Sequence, residues 1–462
     1  MRILDTLSGK KIAVKKPKNG LKLFVCGPTV YDYSHIGHAR TYIVFDSFVK
    51  YLRFLKNKVF YLQNITDIDD KIISRAKDRN ISPKKLAKQF EKEYYADMKA
   101  LDINSVNKYA PASKYIKEIQ RQISVLLEKN FAYETKNGVY FQVKKFTNYG
   151  NLSKQNLSEL RHGYRIEQDK QKKDPLDFAL WKKTNESVGW GSPWGWGRPG
   201  WHIEDTAITE KYFGPQYDIH GGAIDLKFPH HESEIAQQES ASGKKPFVKI
   251  WMHTGFLLIK GDKMSKSLNN FITIREFLKK NSSSDLRMIV LSHHYRSPIN
   301  YNDEVLASAK KSLNTIEDFI TTLKFVELNA INKTENKKNR TNTKKILEKF
   351  ENNFKRALDD DFNTPKALSE IFNLINQANP KLWTLSKKEA VDIRTSINKF
   401  LRLFEINTVP VKIPLKIAKL AQERQLSRQN KQFVPADRLR IKIERLGYLI
   451  KDTPLGPFLT RR

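Results

Sequence analysis

The order of residues between 21 and 55 limits the fold more than any other feature of this chain. Leu21-Lys22-Leu23-Phe24-Val25 alternates apolar positions, CGPTVYDYSHIGH runs from Cys26 to His38, and an apolar, aromatic-rich segment follows from Ala39 to Leu55. Strand, glycine turn and helix in that order open an α/β sheet. The order predicts Cys26 at the end of a strand and His35 and His38 at the start of a helix. Backbone N–H groups and the positive end of a helix converge there, which suits a phosphate.

Further along, Val59-Phe60-Tyr61-Leu62-Gln63 reads as a second strand, ending in a polar cluster from Asn64 to Asp70. Open α/β sheets bind ligands at that edge. A helix cap formed by Asp67, Asp69 and Asp70 ahead of Lys71 is the other reading, and both can hold. Val106 to Ser113 reads as a loop and Lys114 to Glu128 as an amphipathic helix. Asn137-Gly138 marks a hairpin turn, and 146 to 173 is polar, basic and poorly periodic. Tryptophans at 181, 190, 194 and 196 lie among glycines, as an aromatic wall or as ordinary loop packing. Tyr217 to His220 reads as a core strand. His230 and Glu234, one helical turn apart, have metal-ligand spacing, though an exposed charged face gives the same pattern. From Glu304 the chain reads as helices over Glu304–Phe325, Thr343–Ala357, Pro365–Gln377 and Lys387–Leu403, with a polar linker from Ile331 to Thr343. A helical tail, Ile417 to Gly447, is expected to break near Pro435.

Composition bears on partners and location. Lys and Arg number 83 against 50 Asp and Glu, a net +33 over 462 residues. That excess favours a polyanionic partner such as nucleic acid, with a lysine-rich compositional bias as the bland alternative. Cys26 is the single cysteine, so no disulfide can form within the chain. No signal-like apolar run opens the chain, and no stretch approaches the roughly 18 apolar residues of a membrane span. The expected location is cytoplasmic.

His35-Ile36-Gly37-His38 resembles the HIGH motif of class I aminoacyl-tRNA synthetases, and Lys263-Met264-Ser265-Lys266-Ser267 resembles their KMSKS motif. CGPTVYDYSHIGHAR, YLQNITDIDDKII, GRPGWHIE, DIHGGAIDLKFPHHESEIAQ and LSHHYRSPINY narrow the resemblance to the cysteinyl-tRNA synthetase family, and it covers nearly the whole chain. It implies an α/β fold: a Rossmann-like parallel sheet domain with an insertion, followed by a helical bundle and a small C-terminal domain. The expected boundaries are 1–112 and 181–245 for the two halves of the catalytic domain and 113–180 for the insertion. They are 246–303 for the linking domain with the KMSKS loop, 304–405 for the tRNA-binding bundle, and 406–462 for the C-terminal domain.

The resemblance implies that the chain activates L-cysteine with ATP and Mg2+ and transfers it to tRNA(Cys), acting as a monomer. It assigns catalysis to His35, His38, Lys263 and Lys266, ATP binding to Gly37, Asp225 and Lys266, and amino-acid binding to Gly27, Thr29, Thr66 and Trp201. One zinc ion per chain would select the thiol, because shape alone separates cysteine from serine poorly and zinc takes soft sulfur well. Its expected ligands are Cys26, Asp205, His230 and Glu234. Asp205 stands in WHIED where the family usually has a second cysteine. Aspartate can bind zinc through oxygen, at the cost of one soft ligand. The competing expectations are an adenylate-forming ligase that joins cysteine to a small amine, and a non-catalytic RNA-binding relative.

Overall fold

A computed structural model describes residues 1–155, 171–264, 270–330, 337–408 and 412–461. Lys266, residues 331–336 of the expected linker and 156–170 of the basic stretch lie outside the described residues. The described chain divides into two compact units. One comprises Met1–Ser283, His294–Tyr301 and Asp360–Phe362, and the other comprises Ser284–His293, Asn302–Asp359 and Asn363–Arg462.

The first unit is built on a five-stranded parallel sheet. Its spatial order is Val248–Thr254, Tyr217–Ala223, Leu21–Val25, Val59–Ile65, Lys108–Pro111. The chain starts in the middle, moves outward through two strands, then returns to the other side of Leu21–Val25. The strand order therefore reverses between Leu21–Val25 and Tyr217–Ala223, and open sheets bind ligands beyond the strand ends at such a point. Cys26 lies just there, its N–H donating to the Gly221 carbonyl at 3.1 Å. The helix Ile36–Phe54 is buried on nearly every side, which explains why its sequence is apolar all round.

The expected loop at Val106–Ser113 contains the edge strand Lys108–Pro111, paired to Leu62–Ile65. Four residues ending in proline show no alternation, and proline is tolerated there because an edge strand has a free side. A four-stranded antiparallel sheet follows, made of Ala132–Thr135, Gly138–Phe141, Phe178–Lys183 and Gly197–Pro199. Lys136 and Asn137 form its first hairpin loop. Trp181 and Trp194 are buried in this region, whereas Trp196 is exposed.

In the second unit the helices are Asp303–Asn329, Lys337–Asp359, Thr364–Ala378 and Lys387–Leu403. The second begins at Lys337 rather than Thr343, since lysine and arginine are good helix formers despite their polarity. Phe350, Phe354, Phe400 and Phe404 pack as an aromatic cluster. Helices Leu415–Gln429 and Phe433–Arg445 and the hairpin Tyr448–Thr453/Gly456–Arg461 form the tail around Ile417, Leu420, Ile443 and Leu459. The break falls at 430–432. Pro435 sits inside the first turn of the second helix, where its missing N–H has no helical partner to lose.

Candidate active site

Cys26 is buried where its strand ends, with Sγ 3.1 Å from His231 Nε2 and 3.3 Å from His220 Nε2. The helix Trp201–Phe213 brings Asp205, and the helix His230–Ser242 brings His230 and Glu234. His230 Nε2 is 3.1 Å from Asp205 Oδ2 and 3.0 Å from Glu234 Oε1, and its other ring nitrogen contacts His202 Nδ1 at 2.8 Å. Of the expected ligands, Asp205 meets this group through His230, and His231 stands in the compact set of ligand atoms where Asp205 is expected. Cys26, His230, His231 and Glu234 each present a ligand atom within 4.8 Å of the others.

The electrostatics of this cluster fit a cation. Asp205 Oδ1 is buried without a hydrogen-bond partner among the described residues, and the buried Glu234 oxygens face His230 Nε2 at 3.0 Å and His220 Nδ1 at 3.4 Å. Burial pushes the Cys26 thiol well up, and the Glu234 and Asp205 carboxylates push it further. Burial likewise raises Glu234 to about 8 against the pull of His230. For His230, burial opposes the charge, but Glu234 and Asp205 outweigh it and lift the imidazole to about 9. A thiol and two carboxylates share one basic imidazole in a dry pocket, and a divalent cation would reverse that imbalance. The residues fit such an ion, with sulfur, nitrogen and oxygen donors that zinc accepts.

At the other end of the loop, His35 caps the helix Ile36–Phe54. Its Nδ1 accepts from the Gly37 N–H at 3.1 Å and the His38 N–H at 3.3 Å, while the Ile36 N–H donates to the Ile272 carbonyl. This corrects the expected phosphate nest: these N–H groups are already bonded, and because both Nδ1 atoms accept, each neutral ring carries its proton on Nε2. The rings stack 3.8 Å apart. Burial lowers His35 to about 2, helped by His38 and Lys263, and lowers His38 to about 4 against Asp225, so both rings are neutral near pH 7. Lys263 Nζ lies 2.8 Å from Asp225 Oδ2, so two residues expected at different parts of a nucleotide pair with each other. The Met264 methyl reaches Gly37, where a Cβ would meet it at 2.6 Å.

Thr66 follows the strand Val59–Ile65 directly. Its N–H donates to Pro28 and its carbonyl accepts from Val30, which ties it to the loop carrying Gly27 and Thr29. Gly27 leaves no room for a side chain, because a Cβ would sit 1.8 Å from the Asn64 carbonyl oxygen. Trp201, partly exposed, stacks on His230 with centroids 4.2 Å apart. Of the acidic cluster, Asp69 caps the helix Asp70–Asp78, Asp67 binds Ser113, and Asp70 pairs with Lys182 and Arg198.

Sequence reasoning missed Glu204, His202, His220, His231 and His253. His231 Nδ1 contacts His253 Nε2 at 2.8 Å, and His220 Nδ1 contacts the Tyr217 hydroxyl at 2.7 Å. The available signal was density: five of the ten histidines lie between 202 and 253. Burial lowers His202, His220 and His231 well below the ordinary range.

Residues 12–311 match a family model described as the class I (C) tRNA synthetase catalytic domain, and residues 353–406 match the DALR domain. The chain is similar to a cysteine–tRNA ligase of Thermoplasma acidophilum, 42% identical over 460 residues and 98% of each chain. It is similar to one of Thermoplasma volcanium at 43% over 457 residues and 98% of each. In fold it resembles Mycobacterium tuberculosis methionyl-tRNA synthetase in complex with methionyl-adenylate. The TM-score is 0.61 at 15% identity, covering 84% of this chain and 89% of that one.

Proposed function

The chain belongs to the cysteine–tRNA ligases, class I aminoacyl-tRNA synthetases, and from that membership we propose how its residues share the reaction. A ligase of this family activates L-cysteine with ATP to cysteinyl-adenylate, releasing pyrophosphate, and passes the cysteinyl group to a ribose hydroxyl at the end of tRNA(Cys). The substrate carboxylate is the nucleophile in the first step. The protein therefore has to align it and stabilise charge growing on the phosphate. His35 and His38, neutral and fixed by mutual capping, would offer Nε2–H donors to that phosphate. Lys263 and Lys266 would come to the pyrophosphate from the loop, which requires Lys263 to leave Asp225. Asp225 would then be open to the adenosine, which the absence of a side chain at Gly37 lets approach. Magnesium would arrive with ATP.

Gly27, Thr29, Thr66 and Trp201 would line the amino-acid site. Cys26, Asp205, His230 and Glu234 would hold a zinc ion, which when bound supplies a soft acceptor for the substrate sulfur and so separates cysteine from serine. His202, bonded to the far nitrogen of His230, would orient that ring. The helical segments beyond Glu304 would carry the tRNA, and we place the reaction in the cytoplasm within a single chain. Among the described residues no helix is long and apolar enough to cross a membrane.

One observation carries this assignment. The cysteine–histidine–carboxylate cluster and the His35/His38 pair leave the same sheet edge at the point where strand order reverses. Cysteine-dependent ATP–pyrophosphate exchange followed by charging of tRNA(Cys) tests it. Both activities are expected, and exchange without charging would contradict the tRNA step.

A further inference from the structure

We propose that Glu204 is a positioning residue that fixes the Thr66 hydroxyl as a hydrogen-bond acceptor for the ammonium group of the bound amino acid; this rests on the placement of Thr66 beside that amino acid. The Thr66 hydroxyl donates to Glu204 Oε2 at 3.0 Å, and the Asn64 amide Nδ2 donates to the Thr66 hydroxyl oxygen at 3.4 Å. A hydroxyl has one proton and two lone pairs. The proton goes to Glu204 and one lone pair faces the Asn64 amide, so a single lone pair remains. A hydroxyl held this way cannot donate to a carboxylate. The ammonium is the charged group of an α-amino acid that can donate to it.

The framework around this contact is rigid. Both main-chain groups of Thr66 are tied to the loop after Cys26, so the hydroxyl cannot swing away with its backbone. Glu204 stands in the first turn of the helix Trp201–Phe213, between Trp201 and Asp205. One turn of helix would then present an aromatic face, a hold on Thr66 and a metal-facing carboxylate to the same small molecule. Glu204 is 1% exposed and its Oε1 has no hydrogen-bond partner among the described residues. Burying a carboxyl is costly, and this one places an oxygen on a site residue. The bond requires Oε2 to be the acceptor, as it is in the carboxylate and in an acid protonated on Oε1.

The test is the affinity of the metal-loaded full chain for cysteine and for 3-mercaptopropionate, which is cysteine without its ammonium group, measured by calorimetry. Glu204→Met should weaken cysteine about 10-fold or more and leave 3-mercaptopropionate within about twofold, since hydrogen bonds to charged groups are worth that much. Thr66→Val should reproduce this loss, while Glu204→Gln and Thr66→Ser should keep the wild-type ratio. Equal weakening of both ligands, or of neither, by Glu204→Met would overturn the proposal. If Glu204→Met does not fold, the other variants decide. An unchanged ratio in Thr66→Val or a lowered one in Glu204→Gln overturns it. Failure of the wild-type chain to bind cysteine at all would instead overturn the reading of the amino-acid site.

Discussion

With Asp205 as a ligand the cluster would offer one sulfur, one nitrogen and two carboxylate ligands, a harder set than the two-cysteine arrangement the family resemblance implies. Zinc prefers thiolate to carboxylate, so Asp205→Cys should tighten zinc binding, and Asp205→Ala should weaken it by about 100-fold or more. Competition with a chromophoric chelator reads both, and equal affinity in Asp205→Ala and the wild type would remove Asp205 from the ligand set. The histidine pair makes a separate prediction. Burial lowers His35 to about 2 and His38 to about 4, so neither should titrate between about pH 5.5 and 8. Below about pH 6.5 the unfolded chain takes up protons on these rings that the folded chain refuses. Their contribution to stability is therefore complete above that value and falls as pH drops toward the folded values. Ring-proton NMR of each histidine should show no inflection near 6.5, and an inflection there would contradict the buried, neutral pair.

Glycine positions decide how closely the elements of the site approach. At Gly27 a Cβ would strike the Asn64 carbonyl, a backbone atom that cannot move aside. Gly27→Ala should cost about 1–3 kcal/mol in urea denaturation, as overpacking does, and should weaken cysteine binding with it. At Gly37 the nearest atoms are the tip of Met264 and the His35 ring. The methionine tip can turn away but the His35 ring, held by its cap 2.8 Å from where the Cβ would sit, cannot, so Gly37→Ala should cost about 1–3 kcal/mol, as overpacking does, and raise the KM for ATP. Alternation made Leu21–Val25 legible in the sequence, short strand-like runs made Val59–Gln63 and Tyr217–His220 legible, and helical spacing made His230 and Glu234 legible as neighbours. Lys108–Pro111 was not legible, because a short edge strand shows no period. Glu204 and His231 were hidden for another reason. Adjacent helix positions face different directions, and only the packing of the helices Trp201–Phe213 and His230–Ser242 against Cys26 shows what each side chain meets.

Across the whole molecule the motif order and the net charge of +33 point to the same substrate pair, a nucleotide and an RNA. Phosphate-backbone binding releases counterions, whereas cysteine activation does not depend on them to that degree. Raising salt from about 50 to about 200 mM should therefore cut kcat/KM for tRNA by about 10-fold or more and change ATP–pyrophosphate exchange by less than about twofold. A parallel loss in both would place the charge effect in the nucleotide site instead. The family and the sheet could be recognised from residues alone, because the motifs carry their own order. The pairing of Lys263 with Asp225 could not, since it joins the short strand Asp262–Lys263 to the turn Ile224–Lys227, which follows Tyr217–Ala223. The central claim is that Cys26, Asp205, His230 and Glu234 hold a metal on which cysteine selection depends. ATP–pyrophosphate exchange with cysteine and with serine, on zinc-loaded and chelator-stripped protein, tests it most directly. Exchange with cysteine should vanish on stripping and return with zinc, while serine supports neither state; undiminished cysteine exchange in metal-free protein would contradict the claim.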